Sequence, residues 1–130
     1  MRTLLCAETT IAAVVSAVYV QVVADLSVEV EHGDMGALVR LDGDLDKLTA
    51  PLLKERLVKL LAEGRVEVVV DATRLEFCDS SGLWALVEHQ RRVSAHAGSL
   101  RLVGVHGVLR RVLDVTGLKA AFDGVHAADR

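Results

Sequence analysis

Val66-Glu-Val-Val-Val70 runs directly into Asp71-Ala-Thr-Arg-Leu-Glu-Phe-Cys-Asp-Ser-Ser-Gly-Leu83. The unbroken apolar run Val68-Val69-Val70 is what a strand covered on both faces requires. The thirteen residues after it link that central strand to a helix expected from about Ser81 to Ala97, ended by Gly98. At the carboxyl end of a strand in a parallel α/β sheet, side chains are set out for ligands and modification. Asp79, Ser80 and Ser81 stand where a helix needs a cap for its free N–H groups, so capping is one reading of them. The other is a hydroxyl displayed on a tight turn, with a helix N-terminus behind it that favours a phosphate.

Working outward, Ser27-Val-Glu-Val-Glu31 alternates with the period of a half-buried strand, Gly33-Asp-Met-Gly36 is a turn, and Ala37–Leu41 completes a hairpin. After the loop Asp42-Gly-Asp-Leu-Asp46, a helix is expected, with Thr49 as N-cap, Pro51 in the first turn and Gly64 as stop. Leu53, Leu57, Leu60 and Leu61 give it one apolar face. Beyond Gly98, Leu100–Val105 reads as a strand, Val108–Thr116 as a helix stopped by Gly117, and Leu118–Val125 as holding a last strand. The order ββαβαβαβ predicts an α/β domain. Its mixed sheet of about five strands, a hairpin followed by right-handed crossovers, carries three main helices.

Composition bounds the function. The chain has 130 residues, one domain's length. With 52 % hydrophobic residues, a packed core is available. Aromatics are only 3 %, too few for a base-stacking platform. A net charge of −3, from 15 basic and 18 acidic side chains, argues against nucleic acid as a partner. Cys6 and Cys78 lie far apart and outside any metal-ligand spacing, and are expected as reduced thiols. His89 and His96 are seven residues apart, two helical turns, too far to share one metal. Ser80 lacks the GxSxG elbow and a defensible base, so a hydrolase is not indicated. No cofactor, metal or catalytic residue is expected.

Residues 1–25 stand apart. Thr9–Ala24 carries no charge between Glu8 and Asp25. Sixteen residues that include Thr, Ser and Gln are short for a spanning helix, which needs ~20 apolar residues. The segment reads as an extension packed on the domain or as the product of an upstream start. Export or membrane tethering is the other reading.

Phe77-Cys-Asp-Ser-Ser-Gly-Leu83 resembles the phosphorylation-site motif of bacterial anti-sigma factor antagonists, the STAS domain family. Leu41-Asp-Gly-Asp-Leu-Asp46 is similar to that family's Gly-x-Leu-Asp stretch. Val108-Leu-Arg-Arg-Val-Leu-Asp-Val-Thr-Gly-Leu118 is similar to its late helix. The three segments stand in the family's order, across Leu26–Val125. The resemblance implies a non-enzymatic cytoplasmic protein that binds an anti-sigma factor, often itself a serine kinase, and so frees a sigma factor. It implies Ser80 as the phosphate acceptor, Ser81 as second choice, and a phosphatase of the PP2C type as the reverse partner. Asp46, Asp79, Gly82 and Leu83 match positions around that site. Trp84, one turn after Ser80 and away from the helix's apolar centre, is read either as lying flat on a loop or as an aromatic anchor for the partner. Readings of another class are a small-ligand or nucleotide module at the same loop, or a membrane-tethered scaffold. The chain departs from the family in two places. Only His126–Arg130 follow the last expected strand, where relatives carry a closing helix, and the apolar start is atypical. Thr9–Ala24 is therefore expected to cover the strip which that helix would cover.

Overall fold

A computed structural model of the chain describes the backbone of Val18–Val23, and residues 25–34 and 36–127. Alternation makes the first strands. Leu26, Val28 and Val30 of β2 (Leu26–His32) are buried, as are Ala37, Val39, Leu41 and Leu45 of β3 (Gly36–Leu45), with half-buried residues between them. The hairpin joining them is clamped by Arg65, whose guanidinium donates to the carbonyls of Gly33 and Gly36. A further strand, β1 (Val18–Val23), pairs antiparallel on the outer edge of β2. The sheet therefore has six strands, one more than expected. Val18–Val23 lies in the segment read as an extension, where a single polar residue, Gln21, is too little to set a strand period. The remaining residues of Thr9–Ala24, 9–17 and 24, lie outside the described residues.

β4 runs from Glu67 to Cys78, well past the expected end at Val70. It lies parallel to β3 along its whole length, and β3 likewise continues through Asp42–Leu45, expected as a loop. The continuation escaped notice because the register slips twice, between Arg40 and Asp42 and between Gly43 and Asp44. Bulges of this kind break the two-residue period that identifies a strand. Burial beyond Val70 falls on Ala72, Leu75 and Cys78 instead.

Helices α1 (Ala50–Ala62), α2 (Ser80–Ser94) and α3 (Gly107–Thr116) form the crossovers to β4, to β5 (Ser99–Val105) and to β6 (Gly124–Ala127). Gly117 closes α3 at φ +73°, a left-handed conformation suited to glycine. Leu118–Ala121, expected to begin the last strand, is a short 3-10 turn, and β6 starts only at Gly124. Strand order follows chain order from β1 to β6. Right-handed crossovers in a sheet that always grows the same way put every helix on one face. Burial agrees: one cluster joins Val28, Val39, Val68, Val70, Leu100 and Leu102 of the strands to Leu53, Leu57, Leu83, Leu86, Leu109 and Leu113 of the helices. Ser27, Glu29, Leu38, Arg40, Val69, Asp71 and Val103 alternate with these strand residues and belong to the opposite face.

Candidate functional site

The parallel pair β3–β4 ends with Leu45 opposite Cys78, and both chains then turn into helices. The amide of Asp79 donates to the Leu45 carbonyl at 3.1 Å, stitching the two turns together. On the β3 side, Asp46 organises the turn. Its Oδ1 accepts from the amides of Leu48 (2.9 Å) and Thr49 (3.0 Å). Thr49 occupies the N-cap position of α1, but its hydroxyl donates back to the Asp44 carbonyl at 2.8 Å and makes no cap bond. Thr49 thus holds the expected N-cap position without a side-chain cap bond, and the Asp46 carboxylate fixes the turn just before α1.

On the β4 side Asp79 is the N-cap of α2. It is extended, and Oδ1 accepts from the Gly82 amide at 3.0 Å. One oxygen of one side chain thus satisfies a helix N–H, and Ser80 is not needed for the purpose. Ser80 is the first residue of α2 and is exposed; Ser81, the second, is half-buried. The helix was expected to begin at Ser81, so the acceptor candidate stands inside the first turn and not on the loop before it.

Gly82 and Leu83 are buried, Leu83 at 1 % exposure within the core. In the chain alone both pack inward and hold α2 in place. A Cβ on Gly82 would lie 2.5 Å from Leu45 Cγ and 2.9 Å from the Leu45 carbonyl oxygen, so glycine alone permits the two turns to close. Cys78, also buried, has its thiol pushed up to about 12 by desolvation and then by the Asp79 charge, which makes it an inert thiol.

Trp84 is 44 % exposed, and the Arg91 guanidinium sits 5.9 Å from its ring centroid. Such a pair contributes ~0.5–1 kcal/mol at an exposed site and fixes the ring's attitude. Two more apolar side chains at this end were missed from sequence: Leu48, 80 % exposed after Asp46, and Phe77, 41 % exposed before Cys78. Phe77 pairs with Asp44 across the strand ends. Its position in a run without clear period concealed which way it faced. A depression of about 400 Å³ lies elsewhere, against Ser27, Glu29, Arg40, Asp42, Asp71 and Arg74, and does not include the Ser80 turn. Among the described residues no group of His, Cys, Asp or Glu could hold a metal ion, and no helix is long and apolar enough to cross a membrane.

A six-stranded sheet in chain order, with helices on one face and a serine exposed at a capped helix start, defines an α/β regulatory module. The family model described as "Mlab, STAS domain" matches residues 28–123, and the chain belongs to the STAS domain family. It is similar to the anti-sigma-B factor antagonist of Bacillus subtilis strain 168, with 31 % identity over 99 residues, 76 % of this chain and 90 % of that protein. Among solved structures, an anti-sigma factor antagonist from Mycobacterium paratuberculosis aligns with TM-score 0.69 and 27 % identity over 77 % of this chain and 85 % of that one. The antagonist SpoIIAA in its unphosphorylated form shares the fold at TM-score 0.68 and 23 % identity, covering 78 % and 89 %.

Proposed function

We propose that the protein is an anti-sigma factor antagonist. In this reading it binds an anti-sigma factor in the cytoplasm, frees the sigma factor that protein holds, and is switched by phosphorylation at Ser80 without catalysing a reaction itself. The observation that carries the reading is the division of labour at the start of α2. Asp79 takes the capping role, which leaves the exposed Ser80 hydroxyl available to a kinase.

A phosphate on Ser80 adds about −1.5 to −2 charges at neutral pH. The helix N-terminus favours an anion by ~0.3–2 kcal/mol, and the neighbouring Asp79 carboxylate opposes it at similar size. Fold and stability therefore change little, and the effect falls on the partner. A surface complementary to a neutral serine meets a hydrated dianion that it cannot pair. Partial burial of that charge costs several kcal/mol, enough for a ~100-fold loss of affinity. Kinase and phosphatase are then the two enzymes that set the population of binding-competent chains, the anti-sigma factor itself serving as the kinase.

The test uses candidate serine-kinase anti-sigma factors from the same genome. Each is incubated with the protein and ATP, the product is mapped by mass spectrometry, and affinity is measured before and after modification. Phosphate on Ser80 with loss of binding supports the switch. Binding unaffected by phosphorylation, or a modified protein that loses its helical circular dichroism, overturns it.

A further inference from the structure

The sheet face opposite the helices is the largest surface that the proposed function leaves unused. On β2 to β5, strand pairing sets its residues in rungs. Glu31, Leu38, Val69 and Arg101 make one, and Glu29, Arg40, Asp71 and Val103 the next. Beyond the register slip, Asp42 lies beside Arg74, 3.8 Å away. In all three rungs, opposite charges stand at equal distances from the line between β3 and β4. Glu31 balances Arg101, Arg40 balances Asp71, and Asp42 balances Arg74. The centre of the first rung is the apolar pair Leu38 and Val69, which line a shallow groove of about 390 Å³. Two acidic residues fall outside the pattern, and both have partners in the chain. Glu29 is tied to Arg40 at 3.4 Å, and Glu67 accepts from the Ser99 hydroxyl at 2.6 Å.

We propose that this face is a self-complementary interface between two copies of the chain, related by a two-fold axis parallel to the strands and midway between β3 and β4. Such an axis lays β3 over the partner's β4 and β2 over the partner's β5, and keeps each rung level. Leu38 then meets the partner's Val69, and Glu31 the partner's Arg101. Arg40 meets the partner's Asp71, and Asp42 the partner's Arg74, every contact being made twice. Glu29 falls over the partner's Val103 and Glu67 over the partner's Gly36, so no rung on β2 to β5 opposes like charges. Aligned sheets cross at about 30°, which shifts the outer contacts by roughly one residue, within reach of long side chains. Other placements of the axis lose this match. An axis across the strands sets Glu29 and Glu31 against their own equivalents, and an axis on β3 or β4 sets Arg40 or Asp71 against itself. One between β2 and β3 leaves Leu38 under the partner's Glu31. Strands ~4.8 Å apart with ~3.3 Å per residue give β2 to β5 roughly 19 by 23 Å, and β1 and β6 bring the pair toward ~1,200 Å². That is the low end for specific complexes and fits a reversible dimer. The helices, and Ser80 with them, stay on the outside of the pair.

Sedimentation equilibrium of the full chain, from micromolar to millimolar concentration, should show a monomer–dimer equilibrium that weakens as salt is added. A chain that stays monomeric throughout, as it would if its own undescribed residues covered the face, overturns the proposal. Arg101→Glu sets a carboxylate against the partner's Glu31, and Glu31→Lys sets an ammonium against the partner's Arg101. Each alone should weaken self-association roughly tenfold or more. Mixed in equal amounts, the two variants should associate again, because the mixed pair opposes unlike charges at both contacts. A dimer that neither variant weakens lies on another surface and overturns the proposal, as does a mixture that fails to associate. Isotope-filtered NMR on a mixture of labelled and unlabelled unmutated chain adds a test that needs no variant to fold. Methyl contacts between Leu38 of one copy and the partner's Val69 support the interface, and contacts confined to other residues overturn it. Neither readout involves Ser80, so both stand whatever becomes of the phosphorylation switch.

Discussion

At the scale of single residues, adjacent positions at the start of α2 do different things. Asp79 spends its carboxylate on the Gly82 amide, and Ser80 keeps its hydroxyl for solvent. Ser80→Ala should abolish phosphate incorporation, whereas Ser81→Ala, altering a half-buried hydroxyl, should retain most of it; phosphopeptide mapping of the two variants distinguishes them. Trp84 makes a second case. With 44 % of its surface in water and Arg91 across the ring, it should emit as an accessible indole that iodide quenches. Trp84→Ala should leave the unfolding midpoint nearly unchanged and weaken partner binding by ~2 kcal/mol, as measured by calorimetry. Both residues were legible in the sequence, Ser80 from its motif and Trp84 from its place on the helical wheel. Leu48 and Phe77 were not, because neither sits in a segment whose period assigns it a face. Leu83 holds a motif position whose side chain packs into the core.

At the scale of elements, the site depends on two turns that share one hydrogen bond between Asp79 and Leu45. Gly82→Ala forces a methyl into Leu45 and should destabilise the fold by ~1–3 kcal/mol while moving α2 relative to β3. Urea denaturation gives the first quantity, and chemical-shift changes at Leu45 and Asp46 give the second. Asp46→Ala removes the acceptor for two amides in the turn before α1 and should cost ~1 kcal/mol by the same denaturation assay. Asp46→Asn, which keeps the acceptor, should recover most of it. If Asp46 instead acts on the partner directly, Asp46→Asn weakens binding without a stability loss. Helices were readable because their apolar spacing is regular and glycines mark two of their ends. The strand ends were not. Slips in the β3–β4 register erase alternation just where β4 continues toward the site.

At the scale of the whole molecule, one buried group makes stability depend on pH. His89 is 1 % exposed on the core side of α2, and neither ring nitrogen has a hydrogen-bond partner among the described residues. Desolvation first, then the nearby Arg92 charge, pushes its pKa down from 6.5 to about 4. The folded state therefore binds the proton more weakly than the unfolded state does. Stability from this group is complete above pH 6.5 and is lost as pH falls toward 4, by on the order of 3 kcal/mol. Thermal unfolding from pH 7 to pH 4 should show that decline, and His89→Leu should flatten it. The mixed α/β architecture was legible from the order of periods along the chain. The edge strand β1 was not, since one polar residue, Gln21, among apolar ones sets no period from which to assign it.

Strand order identical to chain order has a consequence for biosynthesis. Each strand hydrogen-bonds only to the one made just before it and the one made just after it. A nascent chain emerging from the ribosome always meets a ready template, and no strand must wait with both edges bare for a partner still to be translated. Pairing with the sequence neighbour keeps each loop closure to a single turn or a single helical crossover, a smaller entropic cost than a connection that skips strands. The growing edge passes in turn from β2 to β6. The last strand, four residues long, offers too short a template to recruit another chain.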